Sequence, residues 1–398
     1  MRLQLMSLNR RPSSSLTLLL AASAALTGQK SHADETTSAP TIGYRFNVYD
    51  EDAFSGAPVI GSPQRYHVDT QQLDFSSGVG DRNTLTVNAV HEVMSGSSPW
   101  YSIPGPNNKP IQVLSGATIR DHRSAIDASL THDAGGNSTT TVDASYSTER
   151  DYHATAIGAE HTVPLNAALT LGFGGSLSHD IIEPTDALIF DRISHAEKNT
   201  LSAFGSLSWV LNKASVIESG IQLNYQSGYL SDPYKLAAVG DLLLPDTRPD
   251  RRTEAAWLVR YRNAVNADAA LHLDSRVAVN TWGQKSFTFE AAWYQSLNGG
   301  WQLVPGVRYY TQDSARFYAP FFAAQDAGDF YSSDYRLGGF GSLSANINLR
   351  KQIGRWEFNV GAERYHASTS YALGGSDVFN PGAVSYTRIF AGLDYHFD

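Results

Sequence analysis

The chain has no cysteine in 398 residues. That excludes disulfides, thiolate zinc sets, catalytic thiols and c-type haem attachment. A small secreted domain without cysteine is short of stabilisation, whereas a closed β-barrel is not, because its backbone hydrogen bonds close on themselves. Charge is also scarce, at 17% of residues, and the balance is acidic, with a formal net charge of −9. An acidic balance argues against nucleic acid as a partner, and none is expected. Long apolar runs are missing as well. The densest stretch after the N-terminus, Leu236 to Leu244, is broken by Gly240 and Asp241. It falls short of the roughly 18 apolar residues that a membrane-spanning helix needs.

The first residues carry a different signature. Arg2, Arg10 and Arg11 precede the apolar run Leu16–Leu26, and Ser31-His32-Ala33 offers small residues for a signal peptidase. We expect export through this signal, cleavage after Ala33, and two segments, a signal peptide over 1–33 and one barrel domain over 34–398.

What is abundant is aromatic and small: Tyr 20, Phe 17, Trp 7 and Gly 33. These residues fall into period-two stripes. In Ile217–Tyr225 the odd positions are Ile217, Ser219, Ile221, Leu223 and Tyr225, and the even ones Glu218, Gly220, Gln222 and Asn224. Leu271–Asn280 repeats the pattern, with Leu271, Leu273, Val277 and Val279 opposite His272, Asp274, Arg276 and Asn280. Strict alternation means a different solvent on each face of a strand. A soluble β-sandwich alternates too, but here many stripes reach about ten residues, beyond the usual five or six. The connections also alternate in length. Short polar turns at Ser76–Arg82, Ala134–Asn137, Leu211–Ala214, Val265–Ala267, Asn298–Gly300 and Ile353–Arg355 separate long segments at Glu51–Arg65, Ser95–Ala117, Glu183–His195, Leu230–Arg251, Asp313–Ser333 and Ala367–Ala383. Short periplasmic turns and long external loops are the habit of outer-membrane barrels. The expected fold is therefore all-β: an antiparallel up-and-down transmembrane β-barrel of about 16 strands, within a range of about 14–18.

The C-terminus agrees. Ile389, Ala391, Leu393, Tyr395 and Phe397 share one face, and Gly392 to Phe397 resembles the final-strand signal read by the barrel assembly machinery, although Asp398 replaces the usual terminal aromatic. The expected partners are thus outer-membrane lipid, the assembly machinery through the last strand, and small solutes.

Charged residues on the faces opposite the apolar stripes are candidates for a lumen. They are Glu254, Arg260, Arg262, His272, Asp274, Arg276, Glu290, Arg308, Arg336, Glu357, Glu363, Arg388 and Asp394. They either line a water channel or cross-brace a filled one, and both readings stay open. Histidines are scattered, without metal-ligand spacing. His195 lies near Asp186, Asp191 and Glu197 in one external segment, where a solvated acidic loop is the plainer reading. Ser95 or Ser115 with His91 or His122 can be drawn as a hydrolase pair, but such pairs can be drawn in any serine-rich chain. No enzyme activity, cofactor or metal is expected, and no phosphate-binding glycine loop is present.

Several segments exceed generic barrel needs. Ser95-Gly96-Ser97-Ser98-Pro99-Trp100 and Ser115-Gly116-Ala117-Thr118-Ile119-Arg120-Asp121 flank the second long segment, Leu230-Ser231-Asp232-Pro233-Tyr234-Lys235 opens the fourth, and Tyr331–Leu337 enters a later strand. Ser-Gly and Asp-Pro form turns through side-chain-to-backbone hydrogen bonds, and opposed Asp and Arg could pin loops over a mouth. Together these motifs resemble a proteobacterial outer-membrane family of unknown function, domain-of-unknown-function family 3570, from about Gly43 to the end, with Ser97 where that family has alanine. The resemblance implies an outer-membrane barrel without an assigned activity. Family members are encoded near periplasmic thioredoxin-like and flavin-transferase proteins, which implies a redox link by association only. The function expected is a porin-like channel or solute-binding barrel. The alternatives are a closed structural or assembly barrel with a salt-bridged lumen, and an outer-membrane hydrolase.

Overall fold

The computed structural model describes residues 39–54, 59–115, 119–376, 380 and 382–398. The signal peptide expected over 1–33 lies outside the described residues. Sixteen strands close into one antiparallel barrel. In chain order they are β1 (Thr41–Glu51), β2 (His67–Val79), β3 (Asn83–Gly96), β4 (Ile119–Gly135), β5 (Ser138–Thr148), β6 (Tyr152–Pro164), β7 (Leu169–Ile182) and β8 (Ala196–Asn212). The second half comprises β9 (Ser215–Gly228), β10 (Arg251–Ala264), β11 (Ala269–Asn280), β12 (Lys285–Leu297), β13 (Trp301–Gln312), β14 (Phe340–Ile353), β15 (Trp356–Ser368) and β16 (Ser385–His396). Each strand pairs with its sequence neighbours, and β1 pairs with β16 from Thr41↔His396 to Glu51↔Tyr386, which leaves no free edge. Strands of 11 to 17 residues reach or exceed the roughly 9–11 needed to cross a bilayer, and the longer ones stand proud of it.

The alternation inverts a soluble core. Outward side chains such as Ile221, Leu223, Leu201 and Val279 stay 47–59% exposed, while Gln222 and Ser202 on the opposite face are 2% and 4% exposed. A water-soluble protein could not leave this girdle bare, since each Å² of apolar surface in water costs about 25 cal/mol. Hydrocarbon is the solvent that fits, and the chain is a transmembrane barrel of the outer-membrane kind. Trp209, Trp301 and Trp356 face outward near one rim, and the Trp356 ring lies 4.5 Å from Tyr395 of the closing strand.

The predicted short turns lie at that same rim. At Gly136-Asn137 both residues take positive φ (61° and 63°), the twist a two-residue hairpin requires. The opposite rim carries the long connections, and two of these are shorter than any expected, at 149–151 and 281–284. The longer ones have structure of their own. Val59–Ile60, Pro99–Pro104 and Pro110–Leu114 form a three-stranded sheet, and Leu236–Val239 with Leu242–Pro245 forms a hairpin.

Candidate functional site

The inner wall is an ion-pair lattice set by strand register. Arg260 stands opposite Asp274, Glu290 opposite Arg308, and Glu363 opposite Arg388. Asp274 accepts from Arg262 at 2.7 Å and lies 3.6 Å from Arg260, which is 3.9 Å from Glu218. Glu254 holds Arg276 at 2.6 Å and Arg252 at 3.0 Å. Glu290–Arg308 and Glu363–Arg388 close at 3.0 and 2.8 Å, and Arg45 bridges Asp394 and Asp74. Asp274 and Glu290, like charges directly opposed, are tolerated because an arginine flanks each. The lattice is not dry. Side chains of Arg45, Arg308 and Asp274 remain 35–36% accessible although they point away from lipid.

Of the residues proposed for the lumen, Glu254, Arg260, Arg262, Asp274, Arg276, Glu290 and Arg308 share this inner face, as do Glu357, Glu363, Arg388 and Asp394. His272 shares it too, but it is 9% exposed and its ring lies 4.2 Å from the Tyr294 ring, tilted by 38°. Arg336 is the correction. It belongs to no barrel strand, because β14 begins at Phe340 and the loop before it runs through a short 3₁₀ turn at Tyr335–Leu337. Asp334 caps that turn by accepting from the Arg336 N–H, so the stretch curls where its alternation had suggested a strand.

Arg336 instead enters a knot of loops across the external mouth. Its guanidinium pairs with Asp334 and, at 2.5 Å, with Asp232 of the β9–β10 loop. Arg248 bonds Asp246 at 2.7 Å and Asp334 at 2.8 Å. Lys235 donates to the Pro99 carbonyl of the β3–β4 loop, and Ser333 donates to the Leu236 carbonyl at 2.7 Å. Inward-facing Gln312 of β13 anchors the loop through the Arg336 and Gly338 carbonyls. On the other side of the mouth, Tyr234 donates to Asp151 in the β5–β6 turn. A small apolar core of Trp282, Ala315, Tyr318 and Leu337 packs under the knot.

Three carboxylates face three cations here, Asp232, Asp246 and Asp334 against Lys235, Arg248 and Arg336. Burial pushes the Asp334 carboxyl up, but Arg336, Lys235 and Arg248 outweigh it and hold the group far below the usual carboxylate range. Burial draws Lys235 down, against the pull of Asp334. Beside the knot, Asp121, Glu149 and Asp151 bring carboxylate oxygens within 4.8 Å of one another. Burial, countered by Arg123 and reinforced by Asp121 and Asp151, pushes Glu149 up to about 7.

The remaining sequence candidates do not assemble. His195 lies 3.3 Å from Glu183 and 3.6 Å from Glu197, all exposed, and Asp186 and Asp191 are not its partners. His91 bonds Ser124 at 3.1 Å and stacks on His122, while Ser115 accepts from the Ser98 N–H, so neither serine meets either histidine. Other outward histidines are likewise engaged by the neighbouring strand, His153 by Thr148, His161 by Thr140 and His179 by Asn199. Sequence reasoning did not assign Asp232, Asp246, Asp334, Arg248 or Lys235 a site, although the Leu-Ser-Asp-Pro-Tyr-Lys motif and the Asp334 segment carried the signal.

A family model described as "Protein of unknown function (DUF3570)" matches residues 14–389. Among curated proteins nothing matches the chain. Solved structures similar to it include the siderophore receptor PirA from Pseudomonas aeruginosa, at 10% identity and TM-score 0.44, covering 90% of this chain and 62% of that one. A bacterial polysaccharide outer membrane secretin shares 10% identity at TM-score 0.47, covering 92% and 100%. OccAB1 from Acinetobacter baumannii shares 10% identity at TM-score 0.44, covering 90% and 97%. This chain spans less than two thirds of the siderophore receptor's length.

Proposed function

Since the chain belongs to the DUF3570 family, whose description names no activity, we propose from its own geometry that it is a loop-capped outer-membrane channel for small polar solutes. The observation that carries this reading is the accessibility of the inner wall. Among the ionic side chains that brace one another, Arg45, Asp274, Glu290 and Arg308 keep about a third of their surface open to the interior, and the others keep less. A filled barrel would have dried them, since burying a charge without full pairing costs several kcal/mol. The external knot then acts as the lid, and the wall charges set ion selectivity. Assembly through the last strand and a link to periplasmic redox proteins remain part of the proposal.

Planar-bilayer recording of the purified protein tests it. We expect stepwise conductance with long closures, and Arg276→Glu shifts the reversal potential in a salt gradient. A second reading, a closed structural barrel, is favoured by the density of bonds in the knot. It predicts silent bilayers for the wild type and equally for Asp334→Ala, whose lid is loosened.

A further inference from the structure

One sector of the inner wall departs from the lattice. Between β5 and β9 the wall holds a recess of about 20 Å³, room for one water-sized group, whose inward side chains are Asp143, Glu160, Ser176, Ser202, Phe204 and Gln222. Among the described residues, neither Asp143 nor Glu160 has a basic side chain at ion-pair distance, whereas every lattice carboxylate named above has an arginine. Asp127 on β4 adds a third negative charge beside Asp143.

The recess is built. Inward positions next to it are glycines. A Cβ on Gly158 would meet the Asp143 Oδ1 at 2.6 Å, and one on Gly174 would meet the Phe204 Cε1 at 2.7 Å. The carboxylate and the ring thus lie flat against bare backbone. Ser202 points into the same space at 4% exposure, and its Oγ has no hydrogen-bond partner. A buried hydroxyl left unpaired costs roughly 1–3 kcal/mol, so a ligand atom that completes it is favoured.

We propose that this recess binds the primary ammonium end of a small organic amine. Two carboxylates supply the charge, the Phe204 face supplies cation–π attraction, and the Ser202 hydroxyl can accept one of the three ammonium protons. The recess, at about 20 Å³, takes the ammonium head alone, and the rest of the amine stays in the lumen. Anions are repelled by the same groups. The inference rests on the water-filled lumen proposed above and names the class of solute that the lumen recognises.

The test is calorimetric titration of the detergent-purified full-length protein with 1,5-diaminopentane and with glutarate, a dicarboxylate of the same length. The diamine binds and glutarate does not. Asp143→Asn combined with Glu160→Gln weakens diamine binding at least tenfold, with heat-modifiable gel migration reporting an intact barrel. If that double variant fails to fold, Phe204→Leu, which removes the aromatic face and keeps an apolar side chain there, serves instead and lowers affinity likewise. Absence of diamine binding, equal binding of glutarate, or unchanged affinity in the folded variants overturns the proposal. Bilayer recording separates it from the channel reading. A barrel that binds diamine yet never conducts overturns conduction and leaves the site, and one that conducts without binding diamine overturns the site alone.

Discussion

Asp334 has the most to lose of any single residue. Its carboxylate is fully buried, and it serves Arg248, Arg336 and the turn that follows it. Breaking such a buried pair from one side costs about 3–5 kcal/mol, because the partner cations stay buried and uncompensated. The loss falls on the lid, whereas the barrel is held by its backbone ladder. Asp334→Ala should leave heat-modifiable migration unchanged, speed trypsin cleavage in the β9–β10 loop, and raise open probability in bilayers. The pH response follows from the same residue. A carboxyl whose native pKa is depressed stabilises at all pH above its ordinary value, near 3.9, and that contribution fades only as pH falls through the native one. Trypsin resistance of the lid should therefore hold steady from pH 8 down to about 5. Arg336 shows why this site was hard to read. Tyr331 to Leu337 alternates as a strand would, and only the Asp334 cap, a contact two residues long with tertiary partners, turns it into a curl.

At the scale of elements, the turn joining β5 to β6 holds a titrating group. Glu149 is pushed up to about 7, so the native state carries a proton there that the unfolded chain loses near its ordinary value of 4.5. Its sign is opposite to that of Asp334. The native arrangement is favoured below pH 4.5 and loses this contribution as pH rises through about 7. Above that pH the Asp121–Glu149–Asp151 trio is more negative, so cation selectivity should increase between pH 5.5 and 8, and Glu149→Gln should flatten the change in reversal potential. The end of β3 offers a structural test. Gly96 sits at φ 126°, and a Cβ there would run into the Arg65 carbonyl of the preceding loop. Gly96→Ala should detach the β1–β2 and β3–β4 loops from one another and expose Arg65 to protease, while the strand register below survives. The Ser-Gly motif is thus a docking point between loops. Its companion over Ser115–Asp121 falls partly outside the described residues.

For the whole molecule, the apolar girdle and the polar interior are two sides of one pattern. A substitution that places charge on the lipid side should harm the barrel as lumen changes do not. Leu223→Arg, at an outward position 51% exposed, should cost up to about 2–4 kcal/mol if it lies near the midplane. It should lower the urea concentration at which the barrel unfolds in lipid vesicles, and Gln222→Ala on the inner face should not lower it by as much.

The sequence alone determined the barrel, a strand number of about 16 and, for the strands with clear stripes, the side that meets lipid. Those properties are periodic, and a period of two survives without knowledge of any partner. It also put Arg260, Asp274, Glu290 and Arg308 on the polar stripes, and the strand register then sets Arg260 opposite Asp274 and Glu290 opposite Arg308. Only the tertiary structure decided which loops meet. Lys235 and Pro99, 136 positions apart, and Arg248 and Asp334, 86 apart, are joined by loop closure that no local pattern encodes. The recess is tertiary for the same reason. Its carboxylates, ring and lone hydroxyl come from neighbouring strands, and they come together because Gly158 and Gly174 let the Asp143 carboxylate and the Phe204 ring lie against bare backbone.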